Sequence, residues 1–467
     1  MFRVFFTSFV GASFFLVLQR PSLIFMSTTL TFLKVHGLGN DFLLFDMRGG
    51  PRATAMLPGP LSVDDASGHF SKYRSLLIAA APRLCNRRLG VGADGLIFLD
   101  DAGPAEDRHG GMCNVTFVNA DGSLSGACGN GTRCAALVLA ASNAAANLPE
   151  ESAEGSPGCL PAPLFVRGGA FYDCSVLLPG GNAAIDGAAG RPVTFVSCTG
   201  SPVTLASNAA AVRVGMGRMS TNERFFPWHR TASTKSHGGG MIAHVSREGF
   251  VDLLGEDALA VAEAAADVTV TQASFVSGGN AHAVLFYRNR TASSSSSTLD
   301  EGGRTTRTAT NDKNDGLLIT DVGILAIAGV LQRNIQQFPL AVNVHFLPAD
   351  SVAKLQGNIA QGDQLHVRMK VCEAGAGITA ACGTGACAAA VALHSLLNGA
   401  IPPSNAPKVQ LGLEHRRTEI RIEMDGGILA ITTSLGGNAD NEGAHEQGYA
   451  VTMQGPAQIV YAGQVWL

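Results

Sequence analysis

Two short segments carry most of the chemistry this chain could perform. Ala127–Arg133 reads ACGNGTR and continues CAALVLAA, and Ala381–Cys387 reads ACGTGAC and continues AAAVALHS. Each is a cysteine, a Gly-x-Gly turn and a small-residue stretch that predicts a helix. Glycine lets backbone approach a ligand closely and adopt unusual dihedrals. The start of the following helix leaves free N–H groups and a partial positive charge, where a carboxylate docks well. Cys128 and Cys382 stand at those starts. A helix start favours the thiolate and can lower a cysteine pKa from ~8.5 into the ~3.5–7.5 range. A lone cysteine of this kind reads best as a small buried residue, but a symmetrical pair reads as opposed acid and base. Inverting a stereocentre needs a proton taken from one face and returned to the other. Dipoles aimed from two helix starts, away from water, would stabilise the charge that develops. That chemistry requires neither a metal nor pyridoxal phosphate.

The elements that must position these cysteines repeat as well. GLGND at 37–41 precedes the first turn and SGGNA at 277–281 precedes the second. The same order in each half predicts a duplicated domain. Patterned strands are expected at Leu43–Phe45, Leu96–Leu99, Val115–Val118, Thr194–Val196, Ala211–Val214, Phe275–Val276, Ala283–Phe286, Val342–Leu347, Leu365–Val371, Thr418–Met424 and Ile428–Thr433. Helices are expected at Arg133–Asn143, Asp257–Ala266, Asp321–Asn334 and Ala386–Leu397. Strands alternate with helices, so the fold class is mixed α/β (α+β). Segments 49–70, 101–111, 142–162 and 290–315 read as insertions, the last polar, low in complexity and disordered.

Composition narrows the function classes. The chain has 467 residues, 56 of them glycine, with 46% apolar and 15% charged residues and a net charge of −4. That excludes wholesale disorder and argues against a nucleic-acid partner. The ten cysteines include no CxxC and no zinc spacing, so no metal is expected and most of them read as buried free thiols. Residues Val4–Leu18 are uncharged between Arg3 and Arg20. They read as a targeting segment or anchor, or as an extension upstream of Met26 that the working protein does not use. The expectation is a cytoplasmic protein without membrane attachment unless those first 25 residues are retained, with 1–26 as leader, 27–215 as the first domain and 216–454 as the second. Strand 455–467 is expected to return to the first domain.

At these residues the sequence resembles the diaminopimelate epimerase family of cofactor-independent amino-acid epimerases. VHGLGNDFLLFD (35–46), CNRRLGVGADGLIFL (85–99), FVNADGS (117–123) and ACGNGTRC (127–134) resemble its first half. VSGGNAH (276–282), FPLAVNV (338–344), VRMKVCEAGAG (367–377), ACGTGACAAAV (381–391) and MQGPAQIVY (453–461) resemble its second. The blocks run in the family's order from Thr31 onward, and the insertions account for the greater length. The resemblance implies two similar domains, each a barrel-like sheet around a central helix, with the active site in the cleft between them. It implies epimerisation of LL- to meso-diaminopimelate in lysine biosynthesis, without cofactor, by a homodimer. Cys128 and Cys382 match the acid/base pair. Gly129, Asn130, Gly383 and Thr384 match the groups holding the reacting carboxylate, and Asn40, Asn119, Asn280 and Asn343 match polar groups around the substrate. His282 and Glu373 match residues near the thiols that tune them, Glu373 also being a substrate contact, and Tyr461 matches a dimer-interface position. The sequence departs from the pattern at Ala374, where the family has the arginine that holds the distal carboxylate, and at Ala341 and Ala281. A different amino-acid substrate, another isomerase on the same fold, or a non-catalytic relative therefore stand as alternatives.

Overall fold

The computed structural model describes residues 29–48, 66–102, 113–126, 128–146, 159–166, 170–177, 193–196, 202–205, 209–220, 244–278, 280–290, 319–339, 341–361, 365–397, 417–435 and 448–466. The expected leader, the disorder expected at 290–315 (apart from Arg290) and the middle of the 142–162 insertion lie outside the described residues. The chain divides into two compact units, Met1–Val214 with Gly455–Leu467, and Gly215–Gln454.

In the first unit, strand Thr29–Gly37 turns through Leu38 and Gly39, both at positive φ, into antiparallel strand Asn40–Asp46. Two left-handed residues make the tight hairpin whose twist suits the flanking strands. Asn40–Asp46 then pairs in parallel with Gly95–Asp101, which pairs antiparallel with Cys113–Asn119. On the other edge, Thr29–Gly37 pairs antiparallel with the end of strand Tyr449–Trp466, placing Lys34 opposite Tyr461. Helix Gly129–Ala146 packs against strands from both ends of this order, including Thr29–Gly37, Gly95–Asp101, Cys113–Asn119 and Cys174–Leu177. The sheet thus curls around a central helix whose residues Cys134–Ala141 are all buried. An Ala/Leu/Val helix that is apolar on every side belongs inside a core.

Helix Ala66–Leu84 covers the outer face of the sheet and was not expected from the sequence, where its first residues fall within the supposed 49–70 insertion. Pro82 in its last turn obscures the pattern, yet Leu77, Ala81 and Leu84 pack against Phe45, Leu96 and Phe98. Phe45 stacks on Phe98 at a centroid distance of 5.7 Å.

The second unit repeats the arrangement. Strands His244–Ser246, Val268–Ser277, Ala281–Asn289, Asn343–Pro348, Lys370–Glu373 and Gly377–Ile378 form one sheet in that order. His366–Arg368, Arg417–Met424, Gly427–Leu435 and the beginning of Tyr449–Trp466 form a second run. Helix Gly383–Leu397, buried along its whole length, packs against strands of both. Its polar residues are paired inside the core. His394 Nδ1 lies 2.6 Å from Thr433 Oγ1, and His244 bridges Ser274 Oγ at 2.6 Å and Ser395 Oγ at 2.9 Å. Outside the first sheet, helices Glu256–Ala266 and Asp321–Gln332 bury Leu259, Ala266, Ile324, Ile327 and Leu331 against Val270, Phe275 and Leu285. Thr320 caps the second of these through Gly323 N at 3.1 Å. Among the described residues, no helix is long and apolar enough to cross a membrane.

One buried carboxylate ties this layer together. Glu263, fully buried, accepts from Arg247 Nη1 and Nη2 at 2.6 and 2.9 Å, from Arg290 Nη2 at 3.2 Å and from Val270 N at 2.7 Å. Removing the carboxylate leaves the buried Val270 N–H without its acceptor and two part-exposed arginines without their counter-charge. Glu263→Ala is expected to lower the unfolding free energy by about 2 kcal/mol. Urea denaturation reads this, and an unchanged midpoint would make the cluster dispensable.

Candidate active site

In the first unit the helix starts directly after Cys128. The Cys128 carbonyl accepts the Thr132 N–H and Oγ1–H, each at 2.8 Å, so the residue caps the helix through its backbone. Its Sγ accepts the Gly131 N–H at 3.3 Å. A Cβ at Gly131 would stand 2.7 Å from Phe117 Cε1 and 3.3 Å from the Cys128 sulfur. The second glycine of the turn is therefore required by a flat ring on one side and a thiol on the other. Cys128 itself is half-buried.

Around that start a polar lattice fixes the side chains. Asn130 Nδ2 donates to Asn40 Oδ1 at 3.2 Å, and Asn40 Nδ2 donates to Asp94 Oδ2 at 2.9 Å. Asp94 and Asp41 share Arg87, at 2.7 and 2.6 Å, and Lys34 joins Asp41 from the other side. Burial pushes the Asp41 carboxyl upward, but hydrogen bonds from Arg87 and Lys34 outweigh it and hold the group below its usual range. Arg133, fully buried, donates through Nη2 to Asn130 Oδ1 at 2.8 Å and through Nε to Pro456 O at 3.2 Å. Asn119, at the end of its strand, donates to Ser123 Oγ at 2.9 Å and closes the Asn119–Ser123 turn.

The second unit repeats the helix start in a drier setting. Cys382 Sγ accepts the Gly385 N–H at 3.3 Å, the distance found at Cys128, and lies 3.6 Å from Thr384 Oγ1. Here the side chain is 3% exposed. A helix start by itself would lower both thiols. At Cys382 burial wins and pushes the thiol well above its ordinary value, with the charge of Glu373 adding to it. The Glu373 carboxylate accepts from Thr379 Oγ1 at 2.5 Å. Cys382 is accordingly a thiol, not a thiolate, near neutral pH.

His282 is fully buried and bonds Asn280 Oδ1 through Nε2 at 2.8 Å and His345 Nε2 through Nδ1 at 2.9 Å. Burial lowers its pKa to about 3. Asn343 stands opposite His282 in the parallel register and accepts the Ala374 N–H at 2.9 Å. Ala341, just before that strand, is at positive φ. Tyr461 packs its ring edge-on against Phe32 at 6.1 Å.

The structure thus gathers Asn40, Gly129 and Asn130 about Cys128, and Glu373, Gly383 and Thr384 about Cys382. It joins Asn280 and His282 to each other and ties Asn343 to the turn after Glu373. Asn119 bonds within its own turn, and Tyr461 packs within its own unit. Sequence reasoning missed Arg133, the Lys34–Asp41–Arg87–Asp94 lattice and His345. An arginine inside an otherwise apolar helix was a usable signal for the first, whereas the rest depend on contacts across strands. Cys85, Cys113, Cys134 and Cys174 are buried, with pKa values raised by desolvation, the first to about 11, so they sit as inert thiols. Among the described residues no cluster of three histidine, cysteine or acidic groups could hold a metal.

The profile of the diaminopimelate epimerase family matches residues 61–155 and 313–460, more than half of the chain. The chain belongs to the diaminopimelate epimerase family. It is an isomerase. Diaminopimelate epimerase of Acidiphilium cryptum (strain JF-5) is 26% identical over 440 residues, covering 94% of this chain and 98% of that one. Diaminopimelate epimerase of Picosynechococcus sp. (strain ATCC 27264 / PCC 7002 / PR-6) is 27% identical over 441 residues, covering 94% and 99%. Among solved structures, a hydroxyproline epimerase from Agrobacterium vitis aligns over 94% of this chain and 93% of its own at 12% identity and a TM-score of 0.43, too loose a likeness to compare sites. In this family member the two Gly-x-Gly turns differ chiefly in burial and in the ring that covers the second glycine.

Two predictions follow from that geometry. In Gly385→Ala the new methyl would fall 2.1 Å from His345 Cε1, so a stability loss of about 1–3 kcal/mol is expected, partly restored by adding His345→Ala. Equal midpoints for Gly385→Ala and wild type in urea would refute the contact. The second concerns acid. His244, His282 and His345 are held neutral by burial, the first two with pKa values of about 4 and 3. The unfolded chain protonates each below about pH 6.5 while the folded one does not, so stability falls as pH drops from 6.5 toward 4. The slope is about 1.4 kcal/mol per pH unit for each histidine. Urea midpoints at pH 7.5 and 5.0 read it, and a flat profile would contradict the burial.

Proposed function

We propose that the chain inverts the Cα of an amino acid by a two-thiol mechanism, with Cys128 and Cys382 as the acid/base pair. The carrying observation is that each unit sets a cysteine immediately before a helix, with its sulfur bonded at 3.3 Å by the N–H of the second glycine. One such arrangement can be a capping accident; two of identical length supply the two proton carriers that inversion needs. The helix-start N–H groups of Gly129, Asn130, Gly383 and Thr384 would bind the reacting carboxylate and take up the charge that develops as the α-proton leaves. Asn40, Asn119, Asn280 and Asn343 would contact the remainder of the substrate. In one direction Cys382, resting as a thiol against Glu373, returns a proton to Cα, while Cys128 removes the other as its thiolate. In the reverse direction the roles exchange.

The substrate favoured by the family is LL-diaminopimelate, epimerised to the meso form. Ala374 gives the second reading, an amino acid without a distal carboxylate, because alanine cannot replace the bidentate contact an arginine makes. The resemblance also proposes a homodimer, which sedimentation at micromolar concentration would read as one chain or two. The test of function incubates reduced protein in D2O with LL-diaminopimelate and a panel of L-amino acids, following Cα deuteration and stereochemistry. Wild type is expected to exchange and invert one of them. Cys128→Ser and Cys382→Ser should each lose inversion by about 100-fold or more. Exchange with none of the panel, or full activity in both variants, would sink the two-thiol reading.

A further inference from the structure

The two-thiol reading leaves one buried ring beside the second helix start without a role. His345 lies on strand Asn343–Pro348, fully buried, with its ring against Gly385. In the first unit the ring against the equivalent glycine belongs to Phe117. An apolar ring therefore satisfies the packing of such a turn, and burying an imidazole instead costs its hydration. The hydrogen bonds show what the imidazole does. His282 Nε2–H donates to Asn280 Oδ1 at 2.8 Å, which leaves His282 Nδ1 as an acceptor. His345 Nε2–H donates to that nitrogen at 2.9 Å. His345 Nδ1 is then a bare lone pair, and among the described residues it is the buried ring nitrogen without a hydrogen-bond partner. The opposite direction would bury an unpaired N–H, the rarer and costlier arrangement. Both imidazoles are kept neutral by burial, so each carries one proton and the chain has one sense.

We propose that His345 is a positioning residue that fixes the tautomer of His282 and, through it, the orientation of the Asn280 amide, carbonyl toward His282 and amino group free to donate to substrate. This rests on the reading of Asn280 as a substrate-binding group. His345→Phe keeps a flat ring against Gly385, as Phe117 does against Gly131, and removes only the donor. Circular dichroism and the urea midpoint should stay at or above wild type. KM should rise about tenfold, the loss of one hydrogen bond, with kcat within about twofold. In an Asn280→Ala background the same substitution should raise KM no further. A KM unchanged by His345→Phe, or additive effects of the two substitutions, would overturn the proposal. A second measurement needs neither a substrate nor the variant. Nitrogen-15 spectra of the wild-type imidazoles should show His282 and His345 each protonated at Nε2 and bare at Nδ1, and protons at Nδ1 would overturn the proposal. If wild type acts on no amino acid, the functional reading fails while these spectra still decide the tautomer chain.

Discussion

The rest of the structure is built around one short contact made twice, the N–H of a glycine reaching back to the sulfur of a cysteine three residues earlier at a helix start. For the amide to reach the sulfur, the helix must begin at once after the cysteine. For the helix to begin there inside a core, a ring from a neighbouring strand must lie on the second glycine, and no side chain can occupy that space. The strand carrying the ring is held in turn by a sheet that curls around the helix. An all-apolar, alanine-rich helix is what such a sheet can enclose, because small side chains let strands approach from several directions.

The two copies of this contact sit in different surroundings. Around Cys128 the neighbours are charged and connected, with two aspartates, an arginine and a lysine sharing bonds and Arg133 running from the helix to Pro456. Around Cys382 the surroundings are the Glu373 carboxylate and the Thr384 hydroxyl, and the neutral His345 ring lies against Gly385. One thiol stands half-exposed beside a charged lattice, and the other is buried, its pKa pushed up by that burial. The two helix starts share one backbone contact, and the side chains around them make the halves chemically unequal.

Much of this was legible in the sequence for a physical reason. The cysteine, the two glycines and the helix after them are consecutive, so spacing alone reveals them. Strands such as Leu96–Leu99 and Ala283–Phe286 are continuous apolar runs buried on both faces, and they were found where expected. Helix Ala66–Leu84 was missed because it covers only one face of a sheet and carries Pro82, which blurs its stripe. His345 was passed over because its significance lies in two partners distant in the chain, His282, 63 residues earlier on the neighbouring strand, and Gly385 at the start of a helix. The expected lowering of the Cys382 thiol reversed because a helix start acts through a few partial charges, whereas complete burial removes water altogether.

Strand Tyr449–Trp466 begins in the second unit and ends in the first, where Ile459 pairs with Val35 and Tyr461 with Lys34. During synthesis the opening hairpin therefore leaves the ribosome hundreds of residues before the strand that covers its edge. Until then Thr29–Gly37 offers an unpaired row of backbone groups to any other extended chain nearby, the usual starting point of aggregation. The edge of the first unit is closed only by the last stretch of chain to be made.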